Sequence, residues 1–257
     1  MFFRRLRERA LEFQDGVWFI FSDIKSAFDT VNRDSILNIL TNVGLEDHYI
    51  ELIKDSMSCT RGKVVSSMNE SEFFQISNGV PQGSSLSPGL FISALGFAIQ
   101  HAHHIHHTIH KEYADDLSNI THNKSDILKI LYNNSKALEL IGSTLEPSKT
   151  ELFHVNSEGI ETIYKARESL TQISLDSKFE DVFEKSKAKS LRYLGDQLGN
   201  SNIAIRERIN KAHHAFGRLY NKVFSRENLT FKTKFKVFNA SIVSICLMGL
   251  TVTLHQA

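Results

Sequence analysis

The hydrophobic pattern at the start of the chain predicts a helix followed by a buried strand. Residues 4–14 place apolar side chains at helical spacing, and an Asp-Gly pair ends the pattern. The next segment, VWFIF at 17–21, is a continuous apolar run of strand-forming residues, which is typical of a fully buried strand. Because Asp23 follows two residues later, the pattern predicts a carboxylate at the C-terminal edge of that strand.

Helical spacing recurs along the rest of the chain and is interrupted by short strand signals. The predicted helices are one from Asp34 to Val43 with an acidic cap before it and Gly44 after it, one carrying Tyr49 to Met57, one after Ser87 with Pro88 in its first turn, one from Asp126 to Ile141, and two at about 203–224 and 231–250. The predicted strands are KVV and EFFQI as a hairpin, a possible short hairpin around YADDL, and TELFHV after a loop marked by Pro147.

Charge is distributed unevenly, although the net charge of the 257 residues is only +1. Residues 185–236 hold thirteen Lys and Arg against three acidic residues, so the remainder of the chain carries a net charge of −9. A basic segment of this kind fits a polyanionic partner such as a nucleic acid, and it equally fits the solvated face of a helix.

The cysteines and the hydrophobic runs indicate an intracellular protein. Cys59 and Cys246 are far apart and match no zinc spacing, which is typical of reduced core thiols. The N-terminal segment is too basic for a signal peptide, and no apolar run approaches the roughly 18 residues that a membrane span requires. We therefore expect a protein of the cytoplasm, the nucleus or both, with no membrane partner.

Two acidic positions carry the candidate chemistry. Asp23 ends the first predicted strand, and Asp115 lies 92 residues later beside Asp116 in YADD. One interpretation is that the adjacent acids form only the local hydrogen bonds of a tight turn. Alternatively, carboxylates brought together from distant parts of the chain bind Mg²⁺, which prefers hard oxygen ligands and, as a pair of ions, supports in-line phosphoryl displacement.

The loop NGVPQGSSLSPGLF at 78–91 lies between these acids. Gly79 and Gly83 permit close approach of the backbone, and Gln82 offers both amide donors and an acceptor. The helix that follows presents its positive N-terminal end near the loop. The loop therefore suits a nucleotide and template pocket, whereas such a fragment taken alone is more often just a turn.

Five segments in order resemble the palm motifs of reverse transcriptases, and most closely those of non-LTR retrotransposons. They are DIKSAFDTV, GVPQGSSLSP, YADD, LEPSKTE and LRYLGDQLG, all within about 177 residues of one another. The resemblance implies an α+β fold, with an antiparallel palm sheet backed by helices in 1–198 and a mostly helical, basic, thumb-like region in 199–257. It implies RNA-directed DNA synthesis on an RNA template and a DNA primer, with deoxynucleoside triphosphates as substrates.

The resemblance also implies the metal-binding residues. Asp23 and Asp115 would bind two Mg²⁺ ions, for which Mn²⁺ could substitute, with the carbonyl of Ile24 as a further ligand. Asp116 would be the adjacent acidic partner in catalysis.

Further positions would bind the substrates. Phe28 falls where an aromatic ring lies under the incoming sugar and excludes a 2′-hydroxyl, although a core phenylalanine beside Ala27 is the alternative. Gln82 and Gly83 would contact the nucleotide, and Lys149 would protonate pyrophosphate unless it is a plain surface lysine. The primer grip would comprise Leu191, Tyr193, Leu194 and Gly195.

The sequence also departs from the pattern of that family. Only 22 residues precede Asp23, so we expect the fingers region, whose basic residues hold the triphosphate, to be absent. LSNITHN follows YADD where an apolar strand is usual, and six histidines lie between 101 and 110. Two alternative functions follow: an inactive nucleic-acid-binding remnant, and a zinc-binding protein that uses His103, His106, His107 and His110.

Overall fold

The structure is a computed structural model in which residues 2–102, 108–167, 172–193, 196–199 and 201–247 are described. Its elements, in chain order, are α1 (Phe2–Phe13), β1 (Val17–Ile24), α2 (Ala27–Thr30), α3 (Arg33–Val43), α4 (Asp47–Ser58), β2 (Arg61–Gly62), β3 (Phe74–Gln75), α5 (Ser87–Ala102), β4 (Ile109–Tyr113), β5 (Asp116–Thr121), α6 (Asp126–Leu140), β6 (Leu145–Val155), β7 (Glu161–Ala166), α7 (Phe179–Val182), β8 (Phe183–Lys185), β9 (Ser190–Tyr193), β10 (Asp196–Gly199), α8 (Ser201–Leu219), a π-helix (Tyr220–Phe224), α9 (Phe231–Phe238), a second π-helix (Asn239–Val243) and α10 (Ser244–Leu247). No helix among these residues is long and apolar enough to cross a membrane.

The chain divides into two compact units. The larger unit comprises Val17–His154 and Tyr164–Ser186, and the smaller unit comprises Met1–Gly16, Val155–Ile163 and Lys187–Ala257. The smaller unit contains α1, the β9–β10 hairpin and the C-terminal helices. The described residues after β10, 201–247, are mostly helical, as expected. The predicted boundary between a palm at 1–198 and a thumb-like region at 199–257 is a boundary between functional domains. The two compact units are defined by packing and do not test it, so the boundary stays a prediction.

The main sheet has six strands in the order β4-β5-β1-β6-β7-β8, and the β4–β5, β1–β5 and β7–β8 pairs are antiparallel. Helices α3, α5 and α6 cover one face of this sheet and bury apolar side chains against it, as binary patterning requires. Representative core residues, all at most 1% exposed, are Ile20, Ile36, Phe91, Leu95, Leu117, Ile130 and Leu138. The expected α+β fold, an antiparallel sheet backed by helices, is confirmed.

Strand β5 is buried even though its sequence is polar. Ser118 and Asn119 are at most 1% exposed, and both are hydrogen-bonded. The hydroxyl of Ser118 donates to the carbonyl of Lys111 at 2.9 Å. The side-chain amide of Asn134 on α6 donates to the side-chain oxygen Oδ1 of Asn119 at 3.0 Å. The amide nitrogen of Asn119 lies 2.8 Å from Nδ1 of His110. Hydrogen bonds therefore replace the apolar contacts that are usual in a central strand.

Several element boundaries differ from the expectation, and one of them is the first strand of the predicted KVV hairpin, which lies at Arg61–Gly62. Strand β6 begins at Leu145, so Pro147 lies inside the strand rather than in a loop before it. Helix α3 is capped not by an acidic residue but by Asn32, whose side chain accepts a 2.9 Å hydrogen bond from the backbone N–H of Ser35.

The histidine-rich segment lies mostly outside the described residues, which leave out His103, His106 and His107. In the described part, Nε2 of His110 lies 3.0 Å from Oε1 of Glu112, and Nδ1 of His101 lies 2.8 Å from the carbonyl oxygen of Phe97. These two histidines therefore have partners of their own in the structure.

Candidate active site

The fold brings the predicted acids together at one end of two neighbouring strands. Asp23 near the end of β1 is the direct cross-strand partner of Asp116, the first residue of β5. Directly paired residues point to the same face of a sheet, with Cβ atoms about 4.5–5.5 Å apart. Asp115 adjoins them in the turn between β4 and β5. Two segments 92 residues apart in sequence thus form a single acidic site.

The β4–β5 turn fixes the position of Asp115. Tyr113 and Asp116 are paired across the hairpin, which leaves Ala114 and Asp115 as a two-residue loop. Ala114 has φ 56°, a conformation that is unusual for a residue with a side chain and is needed in the tight turns of two-residue hairpins. The predicted hairpin around YADDL is confirmed, and its strained turn lies at the acidic site, as is common at functional sites.

The acidic cluster is electrostatically crowded. Partial burial raises the pKa of Asp116, and the nearby charges of Asp115 and Asp23 raise it further, while Lys149 opposes the shift. The ammonium of Lys149 lies 2.6 Å from Oδ2 of Asp23, and this hydrogen bond raises the pKa of Lys149. Lys149 is therefore more than a plain surface lysine, although its side chain is 64% exposed.

We expect Asp116→Asn to stabilise the metal-free protein at neutral pH. A carboxyl with a raised pKa binds its proton more tightly in the folded state, so its ionisation costs stability as the pH rises above the ordinary value of 3.8. The gain should be on the order of a few tenths of a kcal/mol, because Asp116 is only half-buried and solvent screens its neighbours.

Urea denaturation of both proteins between pH 3 and pH 7 checks this, with EDTA present. The variant should gain free energy of unfolding above the raised pKa, and the difference should vanish below about pH 4. A variant less stable than the wild type at pH 7 would contradict the crowding of the carboxylates.

The donor set of this site fits a hard divalent cation. Carboxylates of Asp23, Asp115 and Asp116 supply oxygen ligands, and their mutual repulsion is the kind that a bound cation relieves. Lys149 already supplies a positive charge against Asp23. Among the described residues, however, no three His, Cys, Asp or Glu side chains are assembled in a geometry ready to hold a metal ion.

The loop at 78–83 lies against the segment that follows β1. The backbone N–H of Gly79 donates to the carbonyl of Val31 at 2.8 Å, and that of Val80 donates to the carbonyl of Phe28 at 2.7 Å. The side-chain amide of Gln82 donates to the carboxylate of Asp29 at 3.0 Å. The structure therefore places Gln82, which is exposed, and the neighbouring Gly83 close to the segment that carries Phe28.

Phe28 combines features of both interpretations suggested by the sequence. It is half-buried, and its ring lies 4.9 Å from that of Phe91 in α5, against the core. Its neighbour Ala27 is 4% exposed. The ring is thus held by core packing while part of its surface stays accessible, and its role toward the sugar stays a prediction.

Arg33 is a positioning residue that the sequence did not reveal. Its guanidinium donates to three main-chain carbonyls: Gly79 at 2.7 Å, Met57 at 2.5 Å and Asn78 at 3.4 Å. Met57 lies in the last turn of α4, where the helix dipole favours a cation. Arg33 thus ties the start of the loop at 78–83 to α4, and no pattern in the sequence indicated this role, because the predicted helix began one residue later, at Asp34.

We expect Arg33→Lys to loosen this loop, because a single ammonium cannot reproduce the planar fork that reaches three carbonyls. The loss should be about 1–3 kcal/mol in the free energy of unfolding, as buried carbonyls lose their donors. Urea denaturation measures it, with Lys54→Arg, an exchange on the exposed surface of α4, as the control. Equal stability of Arg33→Lys and the wild type would contradict the assigned role.

The predicted primer-grip residues fall in the smaller unit. Leu191 and Tyr193 lie in β9 and are 3% and 8% exposed, and the ring of Tyr193 packs edge-on against that of Phe3 at 5.2 Å. Leu194 and Gly195 lie outside the described residues. A role for any of these four residues toward a primer stays a prediction.

An acidic site formed by two adjacent antiparallel strands, backed by helices and flanked by a glycine-containing loop, is the arrangement expected of a polymerase palm. Residues 3–198 match the family described as Reverse transcriptase (RNA-dependent DNA polymerase). The chain therefore belongs to the reverse transcriptase family, as the five motifs indicated.

A curated relative supports the predicted non-LTR type. The retrovirus-related Pol polyprotein from type-1 retrotransposable element R2 of Popillia japonica is 28% identical over 192 residues, which cover 71% of this chain. The matched region spans only 26% of that relative.

Solved structures of telomerase show more distant likeness. The apo enzyme of Candida tropicalis truncated from its C-terminal domain is 17% identical, with a TM-score of 0.47 over 76% of this chain and 38% of that chain. The C. tropicalis enzyme in complex with the TWJ fragment of telomeric RNA is 16% identical, with a TM-score of 0.45 over 98% and 42% of the two chains. These likenesses are too weak to add to the sequence match.

Proposed function

We propose that this chain extends a DNA primer on an RNA template by transferring nucleotides from deoxynucleoside triphosphates. The observation that carries the proposal is the pairing of Asp23 with Asp116 beside the turn that holds Asp115, in a chain of the reverse transcriptase family. Reverse transcription is the general reaction of this family, and the acidic site is where we propose that it takes place.

Asp23, Asp115 and the carbonyl of Ile24 would hold two Mg²⁺ ions, or Mn²⁺ in their place. When bound, such ions activate the primer 3′-hydroxyl and stabilise the leaving oxygen of pyrophosphate. Asp116 adds negative charge beside them and strengthens cation binding. Because Lys149 contacts Oδ2 of Asp23 in the structure, a cation bound by that oxygen would compete with its ammonium.

The remaining site residues would bind and orient the substrates. Phe28 would lie under the incoming sugar, where a 2′-hydroxyl meets its ring, and Gln82 and Gly83 would contact the nucleotide and the template. Lys149 would donate a proton to pyrophosphate; the contact with Asp23 raises its pKa, so this contact would have to be lost before its ammonium becomes a better acid. The segment from Leu191 to Gly195 would hold the primer, and the basic residues after it would contact phosphates.

The test is primer extension by the purified chain on an RNA template with four deoxynucleoside triphosphates and Mg²⁺. We expect nucleotides to be added in the order that the template dictates, and we expect EDTA to stop the addition. Reactions without template detect untemplated addition, and reactions with ribonucleotides test the predicted role of Phe28.

An inactive nucleic-acid-binding remnant that keeps the basic segment at 185–236 is the alternative. It predicts RNA binding whose affinity falls steeply with salt, without incorporation under Mg²⁺ or Mn²⁺. A folded chain that binds the primer–template and incorporates nothing would overturn the polymerase proposal.

A further inference from the structure

The C-terminal helix α9 exposes two phenylalanine rings side by side. Phe231 and Phe235 are 81% and 52% exposed, and their ring centroids lie 6.0 Å apart with planes only 20° from parallel. Large apolar side chains exposed as a pair are less common than single ones, and they mark binding surfaces more often.

The same helix is held by contacts that do not involve this pair. Thr230 caps its N-terminus by accepting a hydrogen bond from the backbone N–H of Thr233, and Phe238 packs edge-on against Phe224 at 6.3 Å. Phe231 is mostly exposed and about half of the Phe235 side chain is accessible, so packing of α9 accounts for only part of this pair.

Lysines flank the phenylalanine pair on both sides. At 3.6 residues per turn, Phe231 and Phe235 lie about 40° apart around α9, with Lys234 to one side and Lys232 and Lys236 to the other. Residues 228–247 contain no acidic residue, so the charge that this stretch itself contributes is positive. Flat aromatic faces between rows of cations match the bases and phosphates of an unpaired nucleic-acid strand.

We propose that α9 is a stacking site for single-stranded RNA, with bases against Phe231 and Phe235 and phosphates against the flanking lysines. The proposal goes beyond the polymerase function and holds whether or not the acidic site incorporates nucleotides. Two other occupants fit less well: an interfacial membrane helix buries a continuous apolar face, whereas α9 exposes two rings between lysines, and lysines are depleted in protein interfaces.

The first experiment measures fluorescence anisotropy of a labelled, unstructured oligouridine with the full chain. We expect the double variant Phe231→Ala, Phe235→Ala to bind about ten- to a hundredfold more weakly, since stacking contributes substantially per base. Phe231→Leu with Phe235→Leu should lose as much, because leucine keeps the apolar surface but not the flat aromatic face. Phe13→Ala with Phe73→Ala, which removes two other exposed rings, is the matched control and should bind as the wild type does.

The lysines and the alternative occupants are tested separately. Lys232→Gln with Lys236→Gln should reduce the slope of log affinity against log salt by about 1.4, or about 0.7 per phosphate contact. Full RNA affinity of the leucine variant would overturn the proposal, and so would an equal loss on a duplex RNA. Binding to phosphatidylserine vesicles that depends on the two rings, without an effect on RNA, would instead establish a membrane site and also overturn it.

Discussion

Asp23→Asn should abolish RNA-templated primer extension while leaving the chain folded. The substitution keeps the size of the side chain and an oxygen that can accept from Lys149, but it removes the charge that would bind the metal ions. Metal ions contribute several kcal/mol to the stabilisation of charge in the transition state. Since about 1.4 kcal/mol corresponds to a tenfold change in rate, the rate should fall by about a thousandfold or more.

A matched control separates this effect from a general loss of acidic charge. Asp55→Asn removes a carboxylate from the exposed surface of α4, and it should extend the primer at the wild-type rate. Primer–template affinity, measured in EDTA, should be unchanged or slightly higher in Asp23→Asn. Extension by Asp23→Asn within about tenfold of the wild-type rate would show that Asp23 does not bind a catalytic metal.

Gly79→Ala should be among the most destabilising single changes in the larger unit. Gly79 has φ +77°, which disfavours any side chain, and an added Cβ would lie 2.6 Å from the carbonyl oxygen of Phe28 and 2.7 Å from Cα of Asp29. Both are main-chain atoms, so no side chain can rotate away. We expect a loss of about 3–5 kcal/mol, a large part of the roughly 5–15 kcal/mol that stabilises a typical protein.

Gly83→Ala is the natural control because it shares the backbone conformation without the clash. Gly83 has φ +91°, and nothing lies within 4 Å of an added Cβ. Only the conformational strain of about 1–2 kcal/mol applies there. Urea denaturation of both variants should show a much larger loss for Gly79→Ala, and equal losses would mean that the close approach to the α2 segment is not rigid.

Local patterns predicted the elements that carry the acidic site. The apolar run before Asp23 became β1, the turn chemistry of YADD became the β4–β5 hairpin, and Ser87-Pro88 starts α5. Each of these signals is local: a hydrophobic run, a turn and a helix start. The pairing of Asp23 with Asp116 is not local, and only the resemblance to a family implied it.

Features that depend on tertiary contacts were not predicted from the sequence, or were predicted wrongly. Buried β5 was unexpected because Ser118 and Asn119 are polar, and it is the hydrogen bond from Asn134, on a separate helix, that makes the burial of Asn119 favourable. Arg33 gave no signal because its acceptors are main-chain carbonyls, which every sequence supplies. Pro147 suggested a loop because the sequence alone does not reveal which N–H groups of a strand need a partner.

The central claim is that Asp23 and Asp115 hold divalent cations for nucleotide transfer. Its most direct test is electron paramagnetic resonance of Mn²⁺ titrated into the chain bound to an RNA template, a DNA primer that lacks its 3′-hydroxyl, and the matching deoxynucleoside triphosphate. The wild type should bind two ions per chain in the presence of nucleotide, as a two-metal site requires, and Asp23→Asn and Asp115→Asn should each lose saturable binding. Binding that is equal in the wild type and both variants, or absent from a chain shown to hold the primer–template and nucleotide, would contradict the account.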